Sequence, residues 1–178
     1  MYRDIIDFWF TEMEPGAWTR KIPELDTQMR QRFTEVHRQA AQGELWDWRK
    51  TDLGRLAEVI VLDQFSRNMY RDTPEAFAAD ALALVLAQEA ISGAVDERLA
   101  VEQRLFLYMP FMHSESLAIH ERALELFSAP GLERHLGYEH RHRDILLRFG
   151  RYPHRNAILG RASTEQELAF LQQPGSSF

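Results

Sequence analysis

The residues with the most chemistry to offer fall in three short stretches: Asp63-Gln-Phe-Ser-Arg67-Asn68-Met-Tyr70-Arg71, Tyr108-Met-Pro-Phe-Met-His113-Ser-Glu115, and His142 to Arg161. Each sets titratable groups beside an aromatic ring at the end of an expected helix. The third is the densest. Arg143, Arg148, Arg151, Arg155 and Arg161 surround an apolar helix end and a Gly/Pro turn, together with His142, His154 and Asn156. Guanidinium groups at this density need an anionic counterpart, and their planar fork matches carboxylate or phosphate with two hydrogen bonds.

Three uses of these residues compete. In a binding module, Asp63, Arg67, Asn68, Tyr70, His113, His142, Arg151, His154, Arg155 and Asn156 line a polar pocket for a peptide or a small anionic ligand. In an enzyme, Arg67, Arg151 and Arg155 clamp an anionic small molecule while His113 or His154, with Glu115 nearby, moves a proton. In the third, the polar groups pair with one another and no pocket exists among them. The binding module is the principal expectation and the enzyme the alternative.

Other chemistries lack their signatures. His113, Glu115, His142 and His154 have the donor atoms a divalent metal takes, but no HExxH or comparable spacing occurs, so neither metal nor cofactor is expected. There is no G-x-S-x-G elbow and no phosphate-cradling glycine loop.

The rest of the chain must position these stretches. Its 178 residues, 45% hydrophobic and 27% charged, predict one domain spanning the whole chain with a substantial core. Cysteine is absent, which removes disulfides and thiolate chemistry. A net charge of −6 argues against nucleic acid, whose phosphates would be repelled. No signal pattern is visible, and no apolar run approaches the roughly 20 residues a membrane span needs. A cytoplasmic protein without membrane contact is expected. Nothing in the pattern sets an oligomeric state.

Apolar residues recur at helical spacing almost throughout, and no stretch alternates with period two. Helices are predicted over about 2–10, 26–42, 53–65, 74–92, 97–109, 114–128, 132–149 and 164–171, with a frayed tail from about 173. Thr73-Pro74-Glu75 reads as a helix start, Pro110 as a break, and Gly150 as a C-terminal stop. Thr164 with Glu167 reads as a capping box. Trp46 and Trp48 are expected to close a helix–helix corner. Asp63 should pair with Arg67, and Gln64 with Asn68, each four residues on. Short connections predict antiparallel neighbours: 24–42 with 52–66, 74–92 with 97–109, and 114–128 with 132–149. The fold class is all-α, with stacked antiparallel hairpins forming a tetratricopeptide-like superhelix.

The chain also resembles a known family. Ile60-Val-Leu-Asp-Gln-Phe-Ser-Arg-Asn-Met-Tyr-Arg71, Ala76-Phe-Ala-Ala-Asp80, Phe106-Leu-Tyr-Met-Pro-Phe-Met-His-Ser-Glu115, Arg148-Phe-Gly-Arg-Tyr-Pro-His-Arg-Asn156 and Leu159-Gly-Arg-Ala-Ser-Thr164 resemble, in order, the bacterial "domain of unknown function 924" family, as does Asp7-Phe-Trp-Phe10. The resemblance implies an all-helical, tetratricopeptide-like fold and no established activity. Ser66 stands where the family usually has proline, and Met112 where it has glutamate. Losing that acid beside His113 weakens both the metal and the proton-transfer readings.

Overall fold

The computed structural model describes residues 1–18 and 20–177, which contain helices and turns and no strand. In order they are α1 (Tyr2–Asp7), α2 (Pro23–Ala41), α3 (Asp52–Ile60), α4 (Ser66–Met69), α5 (Asp80–Ser92), α6 (Val101–Met112), α7 (Leu117–Phe127), α8 (Glu133–Phe149) and α9 (Glu165–Leu171). The fold is all-α. The chain divides into two compact units, residues 1–71 with 75–110, and residues 72–74 with 111–178. Phe178, the end of the tail expected to fray, lies outside the described residues.

The first unit is built around α3. Its Leu56, Ala57, Val59 and Ile60 are fully buried. It packs against α1 and α5. Thr51 caps its start, the hydroxyl accepting from the Gly54 amide at 3.1 Å. Gly54 permits a close approach: a Cβ there would lie 2.1 Å from the Trp48 carbonyl oxygen.

Two π-helical turns widen the helices of this unit. Phe8–Glu12 continues α1, and Val61–Phe65 joins α3 to α4. Each holds one residue more than an α turn would. Their aromatic residues meet: the Phe65 ring centroid lies 5.9 Å from Phe8 and 5.7 Å from Trp9, and Trp9 packs edge-on against Phe106 at 5.3 Å.

The second unit centres on α7 packed against α8, the pair expected from residues 114–128 and 132–149. Gly150 stops α8 in the left-handed conformation at φ 70°. Thr164 and Glu167 form the capping box at the start of α9.

Four local expectations need correction. The helix expected from residue 74 starts at Asp80, after a 3₁₀ turn over Pro74–Ala76; this break brings the Asp80 carboxylate onto Arg67. Pro110 does not end α6, which runs on two residues to Met112 and forgoes the one i→i−4 hydrogen bond that the proline cannot donate. Trp48 is buried but Trp46 is 61% exposed beneath the Lys50 ammonium, so one tryptophan closes the corner, not two. The main neighbour of α5 is α3, which its small buried face of Ala83, Ala87 and Ala90 fits closely.

Candidate functional site

The candidate residues divide between the units. Asp63, Arg67, Asn68 and Tyr70 belong to the first. Asp63 is fully buried in the second π turn. Its Oδ1 lies 3.1 Å from Arg67 Nη1, as the i,i+4 spacing predicts, and its Oδ2 accepts from Gln64 Nε2 at 2.6 Å. Arg67 also donates to both Asp80 oxygens at 2.8 and 2.9 Å. Gln64 therefore serves Asp63, not Asn68. The extra residue of the π turn changes the angular register, and Asn68 donates to Asp26 Oδ1 on α2 at 3.0 Å. Arg71 completes that tie with two bonds to Asp26 at 2.9 and 3.0 Å. The Tyr70 ring packs 5.0 Å from His37. His37 faces the Ser66 hydroxyl at 2.7 Å, and burial lowers its pKa. Ser66 Oγ itself donates to the Leu62 carbonyl at 2.6 Å, so its oxygen accepts from the imidazole.

The second unit holds His113, Glu115, His142, Arg151, His154, Arg155 and Asn156, and the structure brings these together around Tyr152. Tyr152 is fully buried, and its hydroxyl donates to the Met112 carbonyl at 2.7 Å. Its amide donates to Glu115 Oε1 at 2.7 Å. Arg161 grips the same carboxylate with two bonds of 2.7 and 2.9 Å and donates through Nε to Asn156 Oδ1. Burial works against the Glu115 carboxylate, yet the Arg161 and Tyr152 hydrogen bonds together hold it below its usual pKa. Arg155 is buried, its guanidinium 4.8 Å from the Tyr152 ring centroid, and it donates to the His113 carbonyl at 2.9 Å. Arg151 donates to both oxygens of Glu167 and to the Ala162 carbonyl. Arg151 first, then the Thr164 amide, bring Glu167 down to about 2 against its own burial.

His142 is buried as expected. Its Nδ1 faces the Tyr138 carbonyl at 2.8 Å, and its ring stands edge-on to Tyr152 at 5.9 Å. Burial is the main force holding it down to about 3, and His113, His120 and His154 add to the effect.

One pair escaped the sequence reading. His120 on α7 and Glu139 on α8 are both fully buried, with Nδ1 2.5 Å from Oε1. His120 Nε2 lies 2.9 Å from the Ser114 carbonyl and 3.1 Å from the Tyr152 hydroxyl. A carbonyl only accepts, and the hydroxyl already donates to Met112, so Nε2 must carry hydrogen. A further hydrogen then lies between Nδ1 and Oε1. Glu139 Oε2 has no hydrogen-bond partner among the described residues. A signal was present: His120 stands in the apolar stripe Leu117, Leu124 and Phe127, and Glu139 in the stripe Leu136, Ile145 and Leu146. One polar residue on each of two facing stripes is the pattern of a buried pair.

Among the described residues, no group of three His, Asp or Glu side chains is placed to hold a metal. Two surface depressions lie over Pro23, Thr27 and Gln31, and over Phe8, Met13 and Leu25; neither includes a candidate residue. No helix of the described residues is long and apolar enough to cross a membrane.

Residues 5–175 match the family model described as bacterial protein of unknown function, DUF924. The chain belongs to this DUF924 family. The solved structure of a protein of unknown function, ATU0120, from Agrobacterium tumefaciens is similar to it, with 39% sequence identity, a TM-score of 0.91 and 96% of each chain covered. No curated protein matches the chain.

Proposed function

We propose that this DUF924 protein works by binding rather than by catalysis, and that the half-buried polar rim of the second unit receives a peptide. His113, Glu115, Arg151, His154 and Arg161 form this rim, with Asn156 and Arg155 beneath it. The observation that carries the reading is how the arginines are used. Arg67, Arg151 and Arg161 each grip a carboxylate of this chain with two bonds, and Arg155 is spent on a carbonyl. A small anion would have to displace those carboxylates, whereas a peptide reads hydrogen bonds and shape and needs no free cation. The enzyme alternative draws less support. His120, which reaches the Glu139 carboxylate, is fully buried, where no substrate meets it.

Selection of random twelve-residue peptides on the whole chain tests this. Enriched peptides should bind in solution and lose affinity at least tenfold in a folded His113→Ala/His154→Ala double variant. Inorganic phosphate should give no thermal stabilisation beyond that of chloride at equal ionic strength. Turnover of phosphate-ester or carboxyl-ester substrates that the same double variant abolishes would overturn the reading, as would selective stabilisation by phosphate.

A further inference from the structure

In the second unit Arg122, Arg143, Arg151 and Arg161 each hold a carboxylate of the chain. Three arginines of α8 are used differently. Arg134, Arg141 and Arg148 are exposed, and their guanidinium groups lie over rings. Arg134 and Arg141 stand 5.9 and 4.5 Å from the Tyr138 centroid, and Arg148 stands 4.6 Å from Phe149 and 5.7 Å from Phe170. Arg134 also donates to the Tyr138 hydroxyl and Arg141 to the Gly137 carbonyl. None of the three is joined to a carboxylate among the described residues.

Their spacing is regular. They recur every seven residues, so α8 stacks them in one row, about 10.5 Å between neighbours and about 21 Å end to end. The exposed acids of the helix, Glu133 and Asp144, stand roughly 60–80° round its axis from that row. Asp144 is three residues from Arg141 and four from Arg148, yet pairs with neither among the described residues. We propose that this row is a docking surface for an acidic helix of a partner protein, one whose carboxylates also recur every seven residues.

Charge complementarity fixes the sign of the occupant, and the spacing fixes its form. Same-face side chains of an extended peptide recur every ~6.7 Å and fall out of step after one contact. A helix with a seven-residue repeat keeps step, following the slight slant that the repeat traces on a 3.6-residue winding. At this separation no two arginines converge on one small anion. A second copy laid antiparallel on the same face would set Arg134 against Arg148, and Arg141 against its own counterpart. A nucleic acid would be opposed by the net charge of −6. The rings beneath the guanidinium groups hold the planar forks flat and offer apolar surface to the aliphatic stems of the partner's acids. This surface goes beyond the rim described above and does not rest on it.

The probes are two capped helical peptides of about 24 residues, built of alanine, glutamine and three glutamates. One carries its glutamates seven residues apart. The other carries them five apart, which spreads them around the helix. In amide NMR titrations of the whole chain at low salt, shifts should be confined to α8 and the neighbourhood of Phe170. The seven-spaced peptide should bind tighter by on the order of tenfold, the sum of three exposed pairs. The triple variant Arg134→Gln/Arg141→Gln/Arg148→Gln, its fold checked by unchanged amide shifts elsewhere, should lose that advantage. His113→Ala/His154→Ala should keep it, which separates this surface from the rim. Equal affinity for the two peptides, shifts centred elsewhere, no shifts with either peptide, or an advantage that survives in the triple variant would each overturn the proposal. So would tighter binding of an oligothymidylate that the triple variant loses, or self-association on concentration that the triple variant abolishes.

Discussion

The most deeply buried acids of the two units are neutralised by different bases. In the first, Asp26, Glu58 and Asp63 are each met by an arginine: Arg71, Arg49 and Arg67. In the second, the most deeply buried acid, Glu139, is met by a histidine. A guanidinium keeps its proton at any pH a folded protein meets, while an imidazole can exchange its own near neutrality. Arginine also brings five donors, enough to serve Asp63, its carbonyl and Asp80 together. Histidine brings two at most, and Glu139 Oε2 is left with none among the described residues. The same task is thus done redundantly at Asp63 and singly at Glu139.

Breaking one tie in each unit should expose that difference. His120→Ala strands Glu139 in the interior and should cost about 3–5 kcal/mol, read as a lowered urea midpoint. Asp63→Asn leaves Arg67 bound to Asp80 and should cost only about 1 kcal/mol. Equal losses would mean that the arginine network has no spare capacity. Packing gives a control confined to the first unit. Gly54→Ala drives a methyl into the Trp48 carbonyl and should cost about 3 kcal/mol, at the upper end for overpacking; a neutral result would show that α3 can shift.

Acid sharpens the comparison in a second way. Glu167 is held down to about 2, chiefly by Arg151. A carboxyl lowered in the fold stabilises it above its unfolded pKa of about 4.3, and that stabilisation is lost as pH falls from there toward 2. In acid unfolding followed by circular dichroism, Glu167→Gln should therefore show a shallower loss between pH 4 and 2 than the parent chain. The smallest effect is expected at Trp46. Its ring is mostly in water, so Trp46→Ala should change the urea midpoint by less than about 0.5 kcal/mol.

Local patterns carried the secondary structure well. Gly150 ends α8, Thr164 and Glu167 form their box, and Asp63 meets Arg67, because each depends on residues within one or two turns. The internal ties were not legible. Arg71 reaches Asp26 across 45 positions and Arg161 reaches Glu115 across 46, and periodicity carries no information about such partners. Nor did it show the π turns, since every residue of Val61–Phe65, Asp63 and Gln64 included, is buried, and no solvent-facing side marks the winding. His120 and Glu139 were visible only as polar interruptions of two apolar stripes, a signal that gains meaning once the stripes are known to face each other.

The widened turn at Val61–Phe65 carries a consequence for descent. It amounts to a single inserted residue absorbed without breaking the helix. A homologue shorter by one at this point would wind regularly, and every side chain from Ser66 onward would swing by about 100° about the helix axis. Asn68 and Arg71 would then turn away from Asp26, so loss of that residue should be tolerated only together with loss of the acid on α2.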